Sequence, residues 1–341
     1  MIDETIIRTE IDNYEFACNN VVVFEKLFLD AISAKTHQGR KLRTSTNNKI
    51  SPDTDVTPDL VFEEKNNSDG YKAVNEIKAW FPKDKKYWYD IAEQLKKYDD
   101  NLTNWEFGNN SNHDIMLTTD PQFTNKFKDY VAQLGLEEKI KIDRNLIIME
   151  SFRKERAFHS IFVRKHSGNI NNTILNKQFT DGVDVPMHNV VNDLEKIKFY
   201  DSKPPDVYTM LIMWDHIFSK YIVSRKKRED LNQNKIVEIE LKVDQIFDKL
   251  KKFTHESNPS CIEKRWIRDA LTQFVEIGSA EEPKTESEKY TIKYRKHSGE
   301  TLDWIFGLMK KKEEKEKKPG KNSLDKFLKS EDQNQDKSLG N

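Results

Sequence analysis

The chain has 341 residues, which at roughly 100 to 200 residues per domain leaves room for two domains and excludes a single mini-domain. Lys and Arg number 57 and Asp and Glu 58, so 34% of the residues are charged yet the net charge is only −1. That balance excludes a histone-like protein that coats a polyanion through bulk electrostatics. The hydrophobic fraction of 36% is low, but 19 Phe, 11 Tyr and 6 Trp can fill a sizeable core, so most but not all of the chain is expected to fold. With Cys18 and Cys261 as the only cysteines, neither a disulfide framework nor a cysteine zinc site can be built.

In chain order, Asn13 to Ala34 carries apolar residues at Phe16, Val23, Phe24, Leu27, Phe28 and Ala31, a helical spacing. Thr36 to Thr57 is rich in Gly, Ser, Thr, Asn and basic residues and reads as a loop. Asp59 to Glu64 then reads as a strand, Asn66 to Gly70 as a turn, and Tyr71 to Trp80 as a second strand, together a hairpin. A helix over Ile91 to Tyr98, a strand at Asp114 to Thr118, a helix over Phe123 to Leu136 and a strand at Asn145 to Met149 complete the pattern. This order predicts an α/β domain with a mixed sheet over residues 1–203.

Pro204-Pro205 breaks any regular element, and a domain boundary is expected there. Beyond it, helices over Val207 to Ile222, Val243 to Phe253 and Cys261 to Phe274 alternate with short strands at Ile236 to Leu241 and Tyr290 to Arg295. That succession resembles a winged helix and predicts a mainly helical domain over residues 204–309. From Lys310 the chain turns Lys/Glu-rich, and residues 310–341 are expected to form a disordered charged tail. The first residues lack the basic start and apolar run of a signal peptide, and no stretch approaches 18 uninterrupted apolar residues. A cytoplasmic, nucleoid-associated protein with no membrane contact is the corresponding expectation.

The hairpin carries the chemistry. A turn centred between Asn67 and Ser68 opposes residues whose numbers sum to about 135, so Asp59 faces Glu76 across the ladder. With side chains alternating at period two, Glu76 and Lys78 project to one side and Ile77 to the other. Two like charges opposed on a sheet are destabilising, so the pair calls for a cation: a divalent metal bound through oxygen, with the ammonium of Lys78 nearby.

Pro58-Asp59, the intervening strand and turn, and Glu76-Ile77-Lys78 together resemble the signature of the PD-(D/E)XK nuclease superfamily. Gln94-Leu-Lys-Lys-Tyr98 is similar to the Gln-x-x-x-Tyr helix motif of its RecB-like branch. The resemblance spans roughly Asn13 to Leu146 and implies a restriction-endonuclease-like mixed sheet flanked by helices. It further implies Mg2+ or Mn2+ held by Asp59, Glu76, the carbonyl of Ile77 and a first-helix acid, here Glu25 in preference to Glu15. Lys78 would position the attacking water and stabilise phosphorane charge, while Gln94 and Tyr98 would line the same cleft. The implied reaction is phosphodiester hydrolysis of DNA in repair, replication or defence against foreign DNA; a homodimer would allow cleavage of two strands. The alternative is a catalytically inactive DNA-binding or adaptor protein that keeps the scaffold.

Asp53 and Asp55 are rival ligands whose separation from Glu76 fits the hairpin poorly, and Trp80, Tyr87 and Trp88 near the cleft either pack or stack on bases. In the helix over Cys261 to Phe274 the apolar stripe leaves Lys264, Arg265 and Arg268 outward, and with Lys293 and Arg295 on the wing they are candidate DNA contacts. In the tail, Leu324, Phe327 and Leu328 resemble the short motif that engages a sliding clamp, with Lys321 where that pattern usually has Gln. No P-loop, histidine metal spacing or Gly-x-Ser-x-Gly elbow is present.

Overall fold

A computed structural model of the chain describes residues 3–45, 55–65, 67, 69–108, 112–154, 160–186, 198–200, 203–254, 261–283, 289–297 and 299–317. Contacts divide it into two compact units: Arg8–Thr209 with Asp244–Ile267, and Met1–Ile7 with Met210–Val243 and Arg268–Asn341.

The first unit is α/β. Its helix α1 (Glu4–Ile32), whose residues up to Ile7 belong to the second unit, begins before Asn13, and the buried Ile11 extends its apolar stripe ahead of Tyr14. The segment read as a loop forms three strands, β1 (Ala34–Gln38), β2 (Leu42–Ser45) and β3 (Asp55–Val56). β1 has no apolar alternation. It is held instead by antiparallel pairing with β4 (Leu60–Glu64) and by polar contacts such as Lys35 to Glu106 at 2.7 Å. Next come β5 (Lys72–Lys78), α2 (Lys85–Tyr98), β6 (Asn101–Thr103), β7 (Asp114–Thr119), α3 (Pro121–Leu136) and β8 (Leu146–Lys154). β9 (Ser160–Ser167), α4 (Thr173–Asp181) and β10 (Val183–Pro186) extend the domain beyond the elements that the periodicity reveals.

A seven-stranded mixed sheet of order β1-β4-β5-β7-β8-β9-β10 results, parallel between β5, β7 and β8 and antiparallel elsewhere. β2, β3 and β6 form a small separate sheet. On one face Phe24 and Phe28 of α1 pack on Phe62 of β4 and Phe179 of α4, with Phe28 stacked on Phe62 at 3.9 Å between centroids. On the other face Val61 and Val74 meet Ile91, Ala92 and Leu95 of α2 and Phe123 and Phe127 of α3. Alternation along β4 and β5 thus sends Asp59, Val61, Val74, Glu76 and Lys78 toward α2, and Phe62 and Ile77 toward α1. Gly182, which ends α4 at φ 80°, has no room for a side chain, since a Cβ would lie 2.3 Å from the Phe162 ring.

In the second unit, α5 (Asp206–Ile212), which starts in the first unit, continues as a π turn and then a 3-10 turn to Tyr221, so the long helix expected there is interrupted. α6 (Arg225–Asn232) and β11 (Val237–Lys242) follow. In the chain β11 is followed by α7 (Val243–Leu250), which beyond Val243 belongs to the first unit, and by α8 (Lys264–Glu276), which belongs to the second unit from Arg268; β12 (Ala280–Glu281) and β13 (Lys289–Tyr294) complete a sheet of order β11-β13-β12. Trp214 centres the core of this unit, with Phe218, Phe274, Tyr294 and Trp304 within 5.8 Å between centroids. The disorder expected from Lys310 onward is corrected as far as Lys317: helix α9 (Thr301–Lys317) runs through it, started by the apolar turn around Ile305 and Phe306. No helix among the described residues is long and apolar enough to cross a membrane.

Phe28→Ala removes a ring that is fully buried against Phe62 and should cost the first unit about 3–5 kcal/mol, read as an earlier urea midpoint at unchanged slope. Leu136→Ala, at an 86% exposed position, should shift the same midpoint by less than about 0.5 kcal/mol.

Candidate active site

The hairpin register is the one its turn predicts. Leu60 pairs with Asn75 and Val61 with Val74, which sets Asp59, just ahead of β4, opposite Glu76. Asp59 is fixed by its own backbone neighbour: Oδ2 accepts the amide N–H of Ile77 at 2.7 Å. Lys78 Nζ donates to Glu76 Oε1 and lies 3.6 Å from Asp59 Oδ2. From α2, Tyr98 donates its hydroxyl to Glu76 Oε2 at 2.8 Å and accepts from Gln94 Nε2 at 2.7 Å. Asp59, Glu76, Lys78, Gln94 and Tyr98 therefore form one connected array at the C-terminal end of β5. It is a site that parallel strands followed by a crossover helix leave open for ligands.

The electrostatics follow from burial. Glu76 is 1% exposed, and loss of water together with the nearby Asp59 charge pushes its carboxyl up to about 7, against the pull of Lys78 and the Tyr98 hydroxyl. Burial alone would lower Lys78, but attraction to Asp59 and Glu76 outweighs it, so the ammonium keeps its proton throughout the physiological range. Burial and the same two carboxylates raise the Tyr98 hydroxyl, which makes it a fixed donor.

Lys78 is the member of the array that reaches a cavity of about 590 Å³, lined also by Ile77, Trp80, Tyr87, Tyr200 and Lys203. From α1 the lining residues are Glu10, Asn13, Tyr14 and Ala17. The first-helix acid named from the sequence is thereby corrected. Glu25 lies about 22 Å farther along the helix than Glu10 at 1.5 Å per residue, between Phe24 and the Phe28 that packs on Phe62 and Tyr71 at the turn end of the hairpin. Glu15 faces another cavity, with Ser151 and Arg153, where burial raises its carboxyl. Glu10 is the α1 acid at the Lys78 end. It escapes a sequence reading that begins the helix at Asn13, although Glu10, Asn13, Tyr14 and Ala17 share a helical stripe.

Two carboxylates on one face are oxygen donors of the kind a hard divalent cation takes, but both oxygens of Glu76 already accept hydrogen bonds, and Lys78 is the member of the array that lines the cavity. Among the described residues no group of three His, Cys, Asp or Glu side chains converges to hold a metal ion. Ile77 contributes its amide to Asp59, which leaves its carbonyl as the backbone oxygen named from the sequence. Asp55 sits on β3 beside Arg43 at 3.5 Å and takes no part, and Asp53 lies outside the described residues.

Of the other residues singled out, Trp88 packs on Phe81, Phe127 and Tyr130, whereas Trp80 and Tyr87 face the cavity. On α8, Lys264 is paired with Asp244 at 2.8 Å. Lys293 on β13 is paired with Glu281 at 2.7 Å, and the Arg295 guanidinium lies 5.8 Å from the Trp304 ring centre. Arg265 and Arg268 lie in the first half of α8. Leu324, Phe327 and Leu328 lie outside the described residues. Compared with family models, curated proteins and solved structures, the chain has no significant match.

Because Glu76 titrates near 7 when folded and near the usual 4.5 when unfolded, the folded state is favoured below about pH 4.5 and loses stability as pH rises through 7. In EDTA, Glu76→Gln should therefore raise the melting temperature at pH 8, where the wild type must hold this buried carboxyl ionised. The advantage should vanish near pH 4.5; an equal shift at both pH values would contradict the assignment.

Proposed function

We propose that the chain is a Mg2+- or Mn2+-dependent deoxyribonuclease of the PD-(D/E)XK type that hydrolyses phosphodiester bonds in repair, replication or defence against foreign DNA. The observation that carries this reading is the array in which Glu76 is hydrogen-bonded to Lys78 and Tyr98, Tyr98 to Gln94, and Asp59 lies 3.6 Å from a Lys78 that reaches a cavity. A divalent ion held by Asp59, Glu76 and the Ile77 carbonyl would supply Lewis-acid stabilisation of charge on the phosphate. Lys78 orients the attacking water and offsets negative charge as the phosphorus gains its fifth oxygen. Tyr98 and Gln94 hold Glu76 in its rotamer, and Asp59 is held by the Ile77 amide.

Under the same proposal a winged-helix-like segment over residues 204–309 contacts DNA, with Lys264, Arg265, Arg268, Lys293 and Arg295 as the candidate contacts. A tail motif of Leu324, Phe327 and Leu328 would recruit a sliding clamp, a reading supported by sequence alone. A second reading, an inactive adaptor, is favoured by one observation: both oxygens of Glu76 are already engaged, by Lys78 and by Tyr98.

Purified protein incubated with single-stranded, duplex and branched DNA should cleave only with Mg2+ or Mn2+. Asp59→Asn and Lys78→Met should each lower the rate by about 10²-fold or more. Tyr98→Phe should raise the metal concentration needed for half-maximal cleavage about 10- to 100-fold. Cleavage undiminished in Asp59→Asn and Lys78→Met rejects this site, and no cleavage on any substrate favours the adaptor.

A further inference from the structure

Two large rings that line the cavity stay partly exposed, although Tyr87 also meets Phe81 edge-on at 6.2 Å between centroids. Trp80 is 44% exposed and Tyr87 37%, and both line the cavity that Lys78 enters. Their neighbours Phe81 and Trp88 are turned inward, packed 5.0 Å apart and onto Phe127. Trp80 lies two residues beyond Lys78, where β5 ends, and Tyr87 lies in the first turn of α2, two turns before Gln94 on the same face. The elements that carry the charged array thus also carry the rings. The Tyr87 hydroxyl is close enough to feel the charges of Lys78, Glu76 and Asp59.

Charge alone is a weak attractant for a polyanion in this cavity. Lys78 is neutralised by two carboxylates, Lys203 is paired with Asp206 at 3.2 Å, and Glu10 adds another negative charge. Aromatic surface is the other resource, and stacking is worth about 1–3 kcal/mol per base. In a duplex each base face is covered by its neighbours, so a ring beside the reacting phosphate can be used only by an unpaired base.

We infer that Trp80 and Tyr87 form a base-stacking platform and that this site takes single-stranded DNA. The inference rests on the nuclease reading for its choice of ligand, but its test does not depend on cleavage.

Binding of a fluorescein-labelled oligo-dT strand and of a blunt hairpin duplex is measured by anisotropy in EDTA, where no turnover occurs. The wild type should prefer the single strand. Trp80→Ala and Tyr87→Ala should each weaken single-strand binding about 5- to 100-fold and leave duplex binding unchanged, while Trp80→Phe retains most of the affinity. A strand with abasic residues should bind the wild type more weakly than intact oligo-dT, the penalty should shrink in Trp80→Ala, and the double variant Trp80→Ala/Tyr87→Ala should not distinguish the two strands. Unchanged oligo-dT affinity in both alanine variants, an equal loss on duplex, or an abasic penalty that persists undiminished in Trp80→Ala overturns the platform. Wild-type protein that binds as described but cleaves nothing defeats the nuclease reading and leaves the platform standing.

Discussion

Glu76 has almost no access to water, stands across a ladder from Asp59, and belongs to a strand whose next outward side chain is an amine. A buried carboxylate next to another is costly unless a cation and donors surround it, and each remaining member of the array answers that requirement. Lys78 supplies the charge, Tyr98 an O–H that cannot ionise in the working pH range, and Ile77 an amide that keeps Asp59 in place. The arrangement is coupled: moving any member leaves another with an unpaired buried group. Stability is spent locally to hold acids where positive charge is wanted, a pattern expected of functional sites rather than of supporting scaffold.

The sheet makes this possible by separating two jobs between its faces. Phe24, Phe28, Phe62 and Phe179 give the α1 side a dry aromatic core, while the α2 side is apolar at Val61 and Val74, between the buried Glu63 and Lys72 pair and the array at the end of β5. Because β5 runs parallel to β7, its C-terminal end is free of a tight hairpin, and the chain leaves through Trp80 and Phe81 into α2. α1 contributes its early turns to the cavity and its later turns to the core. The choice among its acids is accordingly a matter of position along the axis: Glu10 is at the Lys78 end, Glu25 at the hairpin turn.

The second unit is a different kind of object. Its core is a cluster of rings around Trp214, and its β11 strand alternates buried and exposed residues with acids on the outer side. Lys289 and Lys293 meet Glu240 and Glu281, so its outward strand face is close to charge-neutral, as the whole chain is.

The amino-acid order alone determined the hairpin, its register, the convergence of Asp59 with Glu76 and Lys78, and the placement of Gln94 and Tyr98 on one helical face. These depend on contacts a few residues apart, or on the strict period-two alternation of strands, and local geometry dictates them. It did not determine β1, whose polar residues become buried only because β4 lies beside them, nor β9, α4 and β10, which complete the sheet edge. The start of α1, and with it the identity of the acid at the cavity, was likewise beyond it. Which stretch of a long helix faces a given strand end is set by how distant elements pack, and no spacing within the helix records that. The exposure of Trp80 and Tyr87 beside the burial of Trp88 was decided the same way: three aromatic residues within one short segment look alike in sequence, and only the packed sheet and helices separate the rings that fill the core from those left facing the cavity.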